Sequence, residues 1–213
     1  MKLYYFPLST YSQKVLIALY EKGIEFDAEI TNLFDPDVAS KYREIYPMGK
    51  VPLLLDDDEH MVPESSIIIE YIDKMAEPTL IKGDADQSRK IRFKDRMYDL
   101  YLNESVTTLL FQNMKPEDQR NQSRMATAQS RIDVMYMFME SEFEKQPFSS
   151  GNEFSLSDCA AAAGLFYAEQ QAPFADRPNL QRYWERLKSM PSVQRVHAEA
   201  APYLEALMKQ QAA

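Results

Sequence analysis

Short strand-like runs alternate with helical stretches through residue 77, and beyond that point no run reads as a strand. That change of pattern constrains the fold more than any single motif. Leu3-Tyr4-Tyr5-Phe6 reads as a strand and Ser12 to Glu21 as a helix, closed by Gly23 as a C-terminal cap. Phe26 to Ile30 is expected as a second strand, with Phe26, Ala28 and Ile30 on one face. A short polar helix follows the start signal Asp35-Pro36. Val51 to Leu55 and Glu59 to Val62, separated by an acidic turn, read as a β-hairpin, and a helix from Glu64 to Met75 closes the unit. The order βαβαββα describes an α/β layer of roughly thioredoxin size. Its opening strand, helix and strand favour a parallel pair with a right-handed crossover.

Pro and Gly punctuate Glu77-Pro78-Thr79-Leu80-Ile81-Lys82-Gly83-Asp84, which reads as a linker. The domain plan is therefore 1–77, a linker over 78–86, and an all-helical part over 87–213. Tyr98, Tyr101, Ser105 and Leu109 mark one face of a long helix that should stop before Pro116. Ala128, Ile132, Met135 and Met139 recur at helical spacing and mark a second. Ser155 opens a third helix, Pro178 a fourth running to about Met190, and Ser192 is expected to cap a fifth. Ser155 and Asp158 have the spacing of a capping box.

Composition excludes several classes. A chain of 213 residues that is 45% hydrophobic can bury a core in one domain or two, so extended disorder is excluded. No apolar run approaches the roughly 20 residues of a membrane helix. Met1 to Phe6 reads as a strand and lacks a signal peptide's long apolar region. One cysteine, Cys159, excludes an intramolecular disulfide framework and fits a cytoplasmic location. The net charge of −9 argues against direct nucleic-acid binding. Residues 1–80 carry 7 Lys/Arg and 15 Asp/Glu, so nearly all the excess sits in the first third. Its densest run, Asp56-Asp57-Asp58-Glu59, is either a solvated turn or a partner-docking patch.

Metal catalysis has little to work with, because His60, His197 and Cys159 are few and scattered. Phosphate-cradling glycine loops are absent. Cys159 lies in a small-residue helical stretch and reads as core rather than as a nucleophile. Three turns hold more interest. Pro7-Leu8-Ser9-Thr10-Tyr11-Ser12 delivers a strand to a helix N-terminus, where free N–H groups and the helix dipole stabilise an anion such as a thiolate. Plain N-capping by Ser9, Thr10 or Ser12 explains the same residues. Val62-Pro63-Glu64-Ser65-Ser66 also ends a strand and opens a helix, with the same two readings. Gly49-Lys50-Val51-Pro52 leads into Leu53-Leu54-Leu55, with Pro52 either trans at an edge or cis in a tight turn.

Taken together, these segments resemble the cytosolic glutathione transferase family, in its bacterial serine/cysteine-type form. The resemblance rests on Ser9-Thr10-Tyr11-Ser12-Gln13-Lys14-Val15 with Glu21-Lys22-Gly23, then Tyr46-Pro47-Met48-Gly49-Lys50-Val51-Pro52, then Glu64-Ser65 with Ile69-Glu70-Tyr71-Ile72. The helical half matches through Glu153-Phe154-Ser155-Leu156-Ser157-Asp158, Pro178-Asn179-Leu180 to Trp184, and Pro191-Ser192-Val193. Four motifs in order and spacing cover essentially the whole chain. The resemblance implies a thioredoxin-like N-terminal domain followed by an all-helical C-terminal domain, usually as a homodimer.

It also implies roles. Val51, before a cis Pro52, would pair its backbone with the cysteinyl unit of glutathione, the co-substrate. Glu64 and Ser65 would bind the γ-glutamyl end, and Lys50 would approach the glycyl carboxylate. Ser9 matches the position where the family uses Tyr, Ser or Cys to activate sulfur, with Thr10 as its substitute; Tyr5 and Tyr11 fit that role less well. A free thiol is only a few per cent thiolate at pH 7, so a donor to sulfur matters. The implied activity joins glutathione to a small hydrophobic electrophile, as in detoxification, in a cleft between the domains. Tyr101, Phe111 and Met114 are candidates to line its pocket, and ordinary packing explains them equally well. Against the charge of residues 1–80, Lys50 and Lys14 would have to shape the local field. The chain also resembles stringent starvation protein A, a non-enzymatic relative that binds RNA polymerase. That relative carries Pro-His-Pro after its first domain, where this chain reads Ala76-Glu77-Pro78-Thr79.

Overall fold

Leu3 and Tyr5 are buried on strand β1 (Lys2–Tyr5) while Lys2 and Tyr4 are only half-buried, the alternation expected where one sheet face meets a core. The structure is a computed structural model that describes residues 1–212. It divides into two compact units, Met1–Thr79 with the chain from Gln194 onward, and Leu80–Val193.

In the first unit β1 pairs in parallel with β2 (Asp27–Ile30) and antiparallel with β3 (Leu53–Leu55), which pairs antiparallel with β4 (Met61–Pro63). The sheet order is β2-β1-β3-β4. Helix α1 (Thr10–Glu21) joins β1 to β2, α2 (Pro36–Ile45) follows β2, and α3 (Ser65–Ile72) follows β4. Val15 to Leu19 are all buried, and α1 packs against α3. β2 starts one residue later than the sequence pattern placed it; it is an edge strand bonded to β1 alone, and all four of its residues are exposed, Ala28 and Ile30 included. The acidic run forms the β3–β4 turn, where the Asp56 carboxylate accepts from the backbone N–H groups of Asp58 and His60.

Helix α9 (Pro191–Ala212) begins one residue before the expected cap, Ser192. The sequence placed everything after 86 in the helical domain, whereas the chain from Gln194 groups with the first unit. Side chains account for this. Tyr20 Oη donates to the Glu199 carboxylate at 2.8 Å, and the Arg195 guanidinium lies 3.8 Å from the Tyr20 ring centre. Tyr203 meets Phe6 edge to face.

The second unit holds α4 (Ala85–Met97), a π-helical segment (Tyr98–Asn103), α5 (Glu104–Asn113), a 3-10 turn (Glu117–Gln119), α6 (Gln122–Phe143), α7 (Leu156–Gln171) and α8 (Pro178–Lys188). One continuous helix was expected through Tyr98, Tyr101, Ser105 and Leu109. Instead the π segment breaks the register, with Glu104 N–H bonded to the Asp99 carbonyl five residues back. Tyr98, Leu102, Val106 and Leu109 are therefore buried, while Tyr101 is 51% exposed. On α6 the buried stripe contains Ala128, Ile132, Met135 and Met139. Cys159 is buried among the alanines of α7 and forms no disulfide. At the start of α7 the capping box is present. The buried Asp158 carboxylate accepts from Ser155 N–H, Ser155 Oγ, Ser149 N–H and Tyr183 Oη.

Candidate active site

Strand register gathers the three turns at one end of the sheet. Tyr4 stands opposite Leu53, and Leu53 opposite Pro63. The chain leaves β1 just past that row towards Ser9, arrives at β3 through Val51-Pro52, and leaves β4 into Glu64-Ser65. Neighbouring strands lie about 4.8 Å apart, so the three turns share one edge over about 10 Å.

Ser9 is the N-cap of α1, with extended backbone angles, and its Oγ accepts the Ser12 N–H at 3.3 Å. The helix thus starts two residues earlier than the sequence pattern gave. Two buried side chains lock the turn. Ser12 Oγ accepts the Phe6 N–H at 3.3 Å, and Gln13 Nε2 donates to the Pro7 carbonyl at 2.9 Å. No acidic residue occupies the first turn of α1, so its positive end is uncompensated. A hydroxyl has one proton as well as its lone pairs, and the Ser9 proton has no acceptor among the described residues. Thr10 is buried at the first helical position. Tyr5 packs edge to face on Phe26, and burial pushes its phenol above the usual tyrosine range.

The Val51–Pro52 peptide is cis. Neither the N–H nor the C=O of Val51 bonds to another described backbone group, which leaves a short open edge. The preceding turn is held by Tyr42, whose buried phenol donates to the Lys50 carbonyl at 2.8 Å. Gly49 has φ +58°, and a Cβ there would stand 3.0 Å from the Arg43 side chain, so a side chain would be strained on both counts. The Lys50 side chain is exposed.

Glu64 has φ 70° and ψ 122°, a left-handed value that costs a non-glycine residue about 1–3 kcal/mol. Backbone strain of this kind concentrates at binding sites, where it fixes the aim of neighbouring groups. The next residue, Ser65, opens α3; it is 5% exposed and its hydroxyl bonds to no described residue. Behind it the buried Lys14 donates through Nζ to Ser66 Oγ at 2.9 Å. A buried cation and a first helical turn without acidic residues both favour an anion here, against the Glu64 carboxylate at the N-cap. The sequence placed Lys14 among the charges near the site but gave no sign of its contact with Ser66. Nor did it mark Tyr42, whose role depends on a turn eight residues away.

The arrangement offers two positive helix ends, a hydroxyl donor and an open backbone edge between them. Such a surface suits an extended peptide-like ligand bearing a carboxylate at one end and an ionisable group at the other.

Residues 3–79 match the glutathione S-transferase N-terminal domain family and residues 102–191 match its C-terminal domain family. Glutathione S-transferase GstB of Escherichia coli K12 is 25% identical over 193 residues, 88% of this chain and 93% of that protein. The FtsZ-localized protein A of Caulobacter vibrioides is 25% identical over 216 residues, 95% and 92% of the two chains. A glutathione S-transferase structure from Methylobacillus flagellatus, solved with GSH bound, has a TM-score of 0.83 at 24% identity, covering 92% of this chain and 98% of that one.

Proposed function

This chain is a member of the glutathione S-transferase family, and we propose that it joins the sulfur of glutathione to a small hydrophobic electrophile. The observation that supports this reading is the Ser9 hydroxyl: it caps α1 with a lone pair, so its proton would be available to a thiolate at the positive end of that helix.

The span of the three turns supports the same reading. An extended tripeptide reaches about 10 Å, the width of two strand spacings. The γ-glutamyl carboxylate would rest on Ser65 and the first turn of α3, with Glu64 beside it. The cysteinyl backbone would pair with Val51, next to cis Pro52, and the glycyl end would lie towards Lys50. Sulfur would then meet Ser9, with Thr10 the alternative donor. A glutathione transferase neighbour solved with GSH bound shares the fold. Tyr101 and Phe111, both exposed, and Met114 are the residues that would offer apolar surface to the electrophile. The protein would act as a cytoplasmic homodimer in detoxification.

A second reading is a transferase-fold interaction protein of the stringent starvation protein A type, which binds RNA polymerase. It is kept in view because a relative named for FtsZ localisation is as similar to this chain as GstB is. Retention on glutathione-agarose and conjugation of an aryl halide, both abolished by free competing glutathione analogue, are the expected results. Failure of both, together with co-purification of RNA polymerase, would favour the second reading.

A further inference from the structure

We propose that the groove between α5 and α6 binds a phosphoryl group, free or carried on a small organic molecule. The groove lies wholly within the second unit. It is a recess of 280 Å³ whose walls include Ser105 and Thr108 of α5 and Arg124, Thr127 and Arg131 of α6.

Charge points to an anion. Arg124 and Arg131 are seven residues apart, two helical turns, and so project from one face of α6. Neither guanidinium makes an ion pair or hydrogen bond with a described residue, whereas the exposed Arg89 and Lys90 and the half-buried Lys188 are paired with carboxylates. Arg124 stands in the first turn of α6, which contains no acidic residue, so its charge adds to the positive end of the helix. Glu104 is the one acidic residue lining the recess, and it is not paired with either arginine. The lining therefore carries a net positive charge in a chain whose net charge is −9.

A second, independent observation concerns Ser105. It is 3% exposed and its Oγ has no hydrogen-bond partner. Helical hydroxyls usually donate to the carbonyl four residues back, as Thr108 does to Glu104 and as Thr127 does to Ser123. For Ser105 that carbonyl belongs to Tyr101, inside the π-helical segment, and the bond is not made. A buried hydroxyl without a partner is destabilising, and a ligand oxygen in the groove that Ser105 lines would supply the acceptor.

Geometry selects a tetrahedral oxyanion. The two arginines start about 10 Å apart along the helix axis, and both line the groove. A planar carboxylate presents its oxygens to one fork, while a phosphate presents oxygens to both forks and to a hydroxyl from below. At roughly 30 Å³ per water, the recess displaces about nine waters, which leaves room for a phosphate ester with a short carbon body.

The test is calorimetric titration of the full-length protein with inorganic phosphate and, separately, with glycerol 3-phosphate, at matched ionic strength. One saturable site per chain is expected. Arg124→Gln and Arg131→Gln should each weaken it about tenfold or more, and Glu104→Gln should tighten it several-fold. These substitutions are on exposed helical positions and should leave circular dichroism and conjugation rate unchanged. Tighter binding of the ester identifies an organic phosphate as the occupant, and equal or weaker binding identifies the free ion. The proposal is overturned if neither probe saturates at millimolar concentration, if acetate binds as well as phosphate, or if both arginine variants keep wild-type affinity.

Discussion

Ser9 Oγ accepts the Ser12 N–H at 3.3 Å, so the hydroxyl caps α1 through a lone pair and its own proton is not used in the cap. The sequence left capping and thiolate stabilisation as competing accounts of this turn. They use different parts of the group, a lone pair in one case and the proton in the other, and are compatible.

Substitution at Ser9 should separate the two. Ser9→Ala loses the cap, at about 1 kcal/mol of stability, and the donor, slowing conjugation roughly 10- to 1000-fold. Ser9→Gly costs only a few tenths of a kcal/mol as a cap but equally lacks the donor, so stability should recover while rate does not. Both variants should need higher pH for full rate, because the bound thiol ionises less readily. Denaturant melts and pH–rate profiles read the two effects. If Ser9→Ala keeps its rate and profile while Thr10→Ala loses both, the donor is Thr10.

Asp158→Ala should destabilise the second unit by about 3–5 kcal/mol. The carboxylate satisfies four donors from three residues, all inside the protein, and alanine would strand the Ser149 N–H and the Tyr183 hydroxyl. A cap alone would cost only about 1 kcal/mol. Urea unfolding distinguishes the two magnitudes, and a midpoint within the smaller range would contradict the network.

The same carboxyl predicts a pH dependence. Burial pushes Asp158 up to about 6 from 3.8, although its four donors pull the other way. A folded-state acid with a raised pKa holds its proton more tightly than the unfolded chain does. Its contribution to stability is thus fully present below about pH 4 and is lost as pH rises to about 6. Wild type should lose about 3 kcal/mol relative to Asp158→Asn across that window, and the difference should be flat above it. Parallel melts from pH 4 to 7 test this, and a difference that does not change with pH would refute it.

What the sequence revealed depended on local signals. Capping residues, Gly23, and the Pro52 and Pro178 positions act over a few residues, so α1, the β3–β4 hairpin and α8 could be read directly. Alternation in Phe26-Ala28-Ile30 marked a strand but carried no sign of its exposure, because it does not say whether another element covers that face. The π segment was hidden because Tyr98 to Leu109 has ordinary helical spacing, which carries no sign of the five-residue hydrogen bond from Glu104 N–H to the Asp99 carbonyl. At the site, Ser9, Val51 and Ser65 were visible as turn residues. The contacts that aim them, from Gln13, Tyr42 and Lys14, join positions without a shared local pattern.

Lys22→Met should destabilise the first unit by about 3–5 kcal/mol. The Lys22 side chain is 0% exposed, and its Nζ donates to Asp73 Oδ1 at 3.0 Å and to the carbonyls of Asp73, Ala76 and Pro78. One ammonium therefore ties the end of α1 to the segment that follows α3. Removing it takes the cationic partner from a buried carboxylate and a donor from three backbone carbonyls. Adding Asp73→Asn should restore part of the loss, so a double-mutant cycle should show strong coupling. Simple additivity of the two substitutions would mean that the contact contributes nothing as a pair.

Ser65→Ala should separate binding from stability. The Ser65 hydroxyl bonds to no described residue, so its removal breaks nothing inside the protein and the unfolding midpoint should stay near wild type. Ser66 differs, because its Oγ accepts from buried Lys14, and Ser66→Ala should lower stability as well. A hydrogen bond from Ser65 to the γ-glutamyl carboxylate is worth about 1.5–3 kcal/mol, so the dissociation constant for glutathione should rise about tenfold or more. Because the carboxylate is far from sulfur, the rate at saturating glutathione should change less than the affinity does. Calorimetry and steady-state kinetics on the same preparations give both numbers. Equal affinity in wild type and Ser65→Ala would move the carboxylate elsewhere while leaving Ser9 in place. Wild-type protein that binds no glutathione would instead remove the transferase reading and leave the interaction protein.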